Sequence, residues 1–163
     1  MPYESVIEVG TNCYINIDDA DEYFALKYGA DAWDALTDEN KDKLLISATR
    51  KIDRLPLRGT KRIYTQDLAF PRYLSAYIDY DLMASLLYTD TIPTEVAQAT
   101  CEEAFAMLNT ESTKRKELQR QGVKAFSLGK LSETFQGSRS LSLVSEEAKE
   151  LLRPWIAGTV QIR

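Results

Sequence analysis

Apolar positions recur at helical spacing in several stretches of the chain, each bounded by polar, glycine or proline breaks. Ala20, Tyr23, Phe24 and Tyr28 make one stripe, ended by Gly29. Asp18 stands where a cap is expected, before a helix opening Asp19-Ala20-Asp21-Glu22, whose acids suit the positive end of the helix dipole. Trp33 and Leu36 fit a short helical turn. Thr37 then precedes a longer helix from Asp38 to about Arg54, with Leu44, Leu45, Ala48, Ile52 and Leu55 as its buried face. Pro56 stops it, and Gly59 falls in the loop beyond. Ile92-Pro93-Thr94-Glu95 opens another helix with Pro93 in the first turn. Its stripe is Val96, Thr100, Ala104, Met107 and Leu108, with Ala97, Cys101 and Phe105 alongside. Ser145-Glu146-Glu147-Ala148 begins a last helix carrying Leu151, Leu152 and Trp155, interrupted by Pro154.

Elsewhere the period shortens. Residues 3–9 are β-prone, and Val123, Phe126, Leu128, Leu131 and Phe135, broken by Gly129 and Gly137, suggest a hairpin. Residues 60–92 are the least regular part and hold an aromatic-rich run, Tyr73 to Tyr88. The predicted fold is mostly α: a small bundle of about four helices with a short C-terminal β-hairpin. It forms one domain over residues 1–157, including an elaborated loop at 60–92, and ends in a tail at 158–163.

Tyr73, Tyr77, Tyr80, Leu82, Met83, Leu86, Leu87 and Tyr88 are too many large apolar groups for a simple surface loop. They form either a partner-binding surface or an extra helix folded back on the same core. In the tail, Val160 and Ile162 alternate with polar neighbours, as in a strand added to a partner's sheet edge. Lys114, Arg115, Lys116 and Arg120 sit where cations favour a helix C-terminus, with DNA contact the competing reading.

Composition narrows the chemistry. Histidine is absent, which removes Ser-His and Cys-His nucleophile pairs and imidazole metal sites. Cys13 and Cys101 have no CxxC spacing and read as two buried thiols in a reduced, intracellular setting. No stretch approaches the roughly 18 apolar residues of a membrane span, and the N-terminus lacks a basic region followed by an apolar run. The net charge of −5 is unevenly spread. Residues 1–110 carry 19 acids and 10 bases, net −9, and residues 111–163 carry 6 and 10, net +4. A net-acidic chain is a poor non-specific nucleic-acid binder, and the split suits self-association or a polar arrangement of partners, with an accident of solvated faces the equal alternative. Gly-rich phosphate loops, GxSxG elbows and EF-hand loops are absent. No enzyme activity and no cofactor are expected.

One series of segments carries a resemblance. It runs Tyr14-Ile15-x-Ile17-Asp18-x-Ala20-x-x-Tyr23-Phe24 with Trp33, then Leu44-Leu45-x-x-Ala48-Thr49-x-x-Ile52-Asp53 and Gly59. Gln66-x-Leu68-x-Phe70-Pro71-Arg72, Ile92-Pro93-x-x-Val96 and a late Gly/Phe hairpin follow. Over residues 14–155 this resembles the head–tail connector (adaptor) family of tailed phages, also labelled DnaT-like single-stranded-DNA-binding proteins. Asp53, Gly59, Gln66, Phe70, Pro71, Arg72 and Pro93 are its structural motif. Phe70-Pro71 reads as a rigid apolar plug, and Arg72 as a bidentate partner for an acid such as Asp53, with DNA contact the second reading.

The resemblance implies a virion neck component, made in the host cytoplasm. It would form a ring, typically dodecameric, below a portal protein and above a head-closure or tail protein, and extend the DNA channel. Packaged DNA would pass through without specific recognition, and no membrane is involved. The alternative is a DnaT-like accessory protein in which tyrosines and the 114–124 basic run hold single-stranded DNA.

Overall fold

The computed structural model describes residues 3–73, 91–108, 125–128, 131–134 and 143–157. Helix α1 is Ile17–Ala25, α2 Asp31–Asp34, α3 Asp38–Asp53, α4 Thr94–Leu108 and α5 Glu146–Leu152, the last running into a 3₁₀ turn at Arg153–Trp155 that contains Pro154. Strands β1 (Thr60–Lys61) and β2 (Arg72–Tyr73) pair antiparallel. Strands β3 (Ala125–Leu128) and β4 (Leu131–Thr134) form the C-terminal hairpin, with Leu128 opposite Leu131. The chain is mostly helical with a small β-hairpin, as the periodicity predicts.

Local departures from the expected pattern have physical reasons. Asn16 caps α1 in place of Asp18: its extended backbone lets its side chain accept from the Asp19 N–H at 2.7 Å, and Asp18 falls inside the first turn. Tyr28 lies beyond the helix, past the Leu26 C-cap, and is fully exposed rather than part of the buried stripe. Residues 3–9 form no strand. A single bridge joins Val9 to Cys13, and the segment is tied to α3 through Asp42, which accepts from Tyr3 Oη (2.7 Å), Ser5 Oγ (2.9 Å) and the Val6 N–H (2.9 Å). That hydrogen bond to Asp42 pushes the Tyr3 hydroxyl up to about 12.

Helix α4 packs against both α3 and α5, and two core clusters follow one another along α3. Near its start, Leu45 and Ala48 meet Phe24, Trp33, Cys101 and Ala104. Near its end, Ile52 and Leu55 meet Tyr14, Phe70, Val96, Leu152 and Trp155. Because Ala104 belongs to the first cluster and Val96 to the second, α4 runs antiparallel to α3. The Phe24 ring lies 4.4 Å from Trp33 and 5.5 Å from Phe105, centroid to centroid. Each large side chain fully buried here contributes roughly 1.5–3 kcal/mol before ordering costs.

Candidate functional site

The Gln66–Arg72 segment is a self-bonded loop. Gln66 Oε1 accepts from the Ile63 N–H at 3.0 Å, and its Nε2 donates to the carbonyls of Leu68 (2.8 Å) and Pro71 (3.0 Å). Leu68 and Phe70 point into the core, where Phe70 meets Tyr14 and Trp155 edge-on, and the Phe70–Pro71 peptide is cis. Arg72 corrects the expected ion pair. Its guanidinium donates to backbone carbonyls, from Nε to Arg58 (2.8 Å), Nη1 to Ala69 (3.1 Å) and Nη2 to Gly59 (2.7 Å). Asp53 instead accepts from the Tyr14 hydroxyl and the Ala69 N–H. The reason is the bend at Gly59, whose positive φ of 72° turns the 57–59 carbonyls toward one point that a forked five-donor group fits. The loop is therefore tied to the core through Phe70 and to its own backbone through Gln66 and Arg72. Pro93, buried, supplies the carbonyl that accepts the first α4 amides, Val96 and Ala97.

The buried acids also act as braces. Glu103, with no exposed surface, accepts from Lys51 Nζ (2.8 Å), the Val144 N–H (2.8 Å) and the Ser145 N–H (2.9 Å), joining α3, α4 and the start of α5. Glu102 takes the Tyr23 hydroxyl (2.5 Å) and Lys27 Nζ (2.7 Å). Asp21, in the acidic first turns that could suggest a metal site, pairs with Lys41 and the Trp33 indole N–H. Both cysteines are free and buried, and burial raises both thiol pKa values. Among the described residues no group of three or more His, Cys, Asp or Glu could hold a metal ion, and no helix is long and apolar enough to cross a membrane.

Charge along the described chain is polarised along α3. Residues 3–42 carry 11 acids and 2 bases, and residues 43–66 carry 7 bases and 1 acid. At the start of α3, Asp31, Asp34, Asp38 and Glu39 are exposed around the Gly29 turn, where Leu26 is 92% and Tyr28 103% exposed. At its other end, Arg50, Arg54, Arg58 and Lys61 are exposed beside Ile63 (57%) and Tyr64 (97%). The β1–β2 pair and the Arg72 clamp hold this basic, apolar-tipped ribbon rigidly against the second core cluster.

A family model with the description "Putative DnaT-like ssDNA binding protein" matches residues 4–163, nearly the whole chain. The chain belongs to this DnaT-like family. No curated protein and no solved structure matches it. In this DnaT-like chain the sequence-predicted interface residues separate. Tyr73 lies on β2 opposite Thr60 and is exposed. Tyr77, Tyr80, Leu82, Met83, Leu86, Leu87 and Tyr88, the basic Lys114, Arg115, Lys116 and Arg120, and Val160 and Ile162 lie outside the described residues. The structure brings together Asp53, Gly59, Gln66, Phe70, Pro71 and Arg72 as one scaffold. Sequence reasoning missed the basic excess over residues 43–66 because charge summed over residues 1–110 buries it under the acids before it. A window of about 24 residues would have found it.

Proposed function

We propose that this DnaT-like protein is a structural subunit of a tailed-phage neck. It forms a ring, of about twelve copies by the family resemblance, that joins the portal to a head-closure or tail protein and extends the DNA channel. The observation that carries the reading is the division of labour among polar groups. Asp42, Asp53, Glu102, Glu103, Gln66 and Arg72 brace backbone or neighbouring helices, while the opposite ends of α3 present opposite charge with exposed apolar tips. Such a molecule is built to be held by others of its kind. Gradient sedimentation with portal particles tests it: the protein is expected to co-migrate, and its failure to do so contradicts the proposal.

Single-strand binding is the second reading, favoured by the family description and by Tyr64, a fully exposed ring in the same basic stretch as Arg58 and Lys61 that could stack on a base. An oligonucleotide titration at about 150 mM salt, where surface charges are screened beyond roughly 8 Å, separates the two. The neck reading expects only weak, salt-sensitive binding; tight binding lost on Tyr64→Ala supports the second.

A further inference from the structure

Resting on the ring reading, we propose that neighbouring copies join head to tail, the acidic α2–α3 end of one copy seating on the basic 54–64 ribbon of the next. The two surfaces lie at opposite ends of one rod. Helix α3 has 16 residues, so its ends are about 24 Å apart. Its start is fixed to α1 and α2 through Lys41 with Asp21 and Trp33. Its end is fixed to the ribbon through Asp53 with Ala69 and by the Arg72 clamp.

Among the described residues, the charges at the two ends are only partly cancelled. At the acidic end each lysine is already paired: Lys27 with Glu102, Lys41 with Asp21, and Lys43 with Glu39. Asp31, Asp34 and Asp38 therefore remain in excess. At the basic end Lys61 Nζ donates to the carbonyls of Gln66 and Asp67 (3.0 Å each) and Arg58 to that of Pro154 at 3.5 Å, neither forming an ion pair among the described residues. Arg50 and Arg54, one helical turn apart, share a face of α3. Among the described residues, the acids near these cations include Asp53, which accepts from Tyr14 and the Ala69 N–H, Asp67, and Glu150, 3.6 Å from Arg153.

Each end also carries exposed apolar side chains close in sequence to its charges, Leu26 and Tyr28 at one and Ile63 and Tyr64 at the other. Apolar middles ringed by complementary charge are the anatomy of a specific protein interface. Because the two surfaces differ, the contact is heterologous and generates a ring or filament rather than a two-fold dimer.

Charge reversal at each end tests the contact in the full chain. Arg54→Glu with Arg58→Glu reverses the basic end, and Asp34→Lys with Asp38→Lys reverses the acidic end. Arg54→Gln with Arg58→Gln serves as a milder variant, and circular dichroism verifies each fold. Either reversed variant alone should associate about tenfold more weakly than wild type or worse, by light scattering and by assembly on portal particles. An equimolar mixture of the two reversed variants should assemble again, since every contact in an alternating ring is then complementary. Reversed variants that assemble like wild type overturn the contact while leaving the neck reading intact. A basic-end reversal that abolishes oligonucleotide binding but not assembly assigns the ribbon to nucleic acid and also overturns it. Wild-type protein that neither self-associates nor joins portal particles removes the ring itself, and this contact with it.

Discussion

Glu103→Ala is the sharpest test of how the helices are held. The carboxylate is completely buried and accepts two backbone amides, Val144 and Ser145, and one ammonium, Lys51. Truncation leaves two donors at the start of α5 without their acceptor, at about 1–3 kcal/mol each. Lys51 keeps partial solvent contact, so its loss adds at most about 1 kcal/mol. The expected destabilisation is about 3–5 kcal/mol, a large part of the 5–15 kcal/mol typical of a domain. At about 2–4 °C per kcal/mol for a chain of this size, the midpoint should fall by roughly 10 °C. Glu103→Gln retains an oxygen acceptor and should cost less, about 1–2 kcal/mol. Urea unfolding followed by far-UV circular dichroism reads the effect. An alanine variant within about 0.5 kcal/mol of wild type would show that the carboxylate does not hold α5.

Arg72→Lys should destabilise by about 2–4 kcal/mol despite keeping the charge, because a single ammonium cannot reach the carbonyls of Arg58, Gly59 and Ala69 together; denaturation within about 0.5 kcal/mol of wild type contradicts the clamp. Cys13 and Cys101, buried and with raised thiol pKa values, should resist alkylation at about pH 8 in the native protein and react after unfolding. Mass spectrometry reads both states, and rapid native labelling of Cys101 would contradict its place in the core.

The helices were legible because their signals are local. Leu45, Ala48, Ile52 and Leu55 follow the helical period and are buried, and Ser145 caps α5 through the Ala148 amide as its position predicts. The hairpin was legible from its apolar and glycine pattern. The polar connections were not, because they join residues far apart in sequence: Glu103 reaches 41 residues along to Val144, and Asp42 reaches 36 residues back to Val6. Arg72 was assigned the wrong partner for a related reason. An acid is the obvious match for a buried cation, and only the fold shows that the Gly59 bend aims carbonyls at it. Tyr28 follows the stripe in sequence, but α1 ends three residues before it, so periodicity placed it on a face that no longer exists.

If the protein works as proposed, as a ring subunit held by protein contacts, negative-stain imaging of portal particles with it present should show an added layer on one end of the portal. That layer should have rotational order and a central opening, and should disappear with the basic-end reversal. Portal particles that look the same with and without the protein, at concentrations where it is folded and in excess, would contradict the proposal.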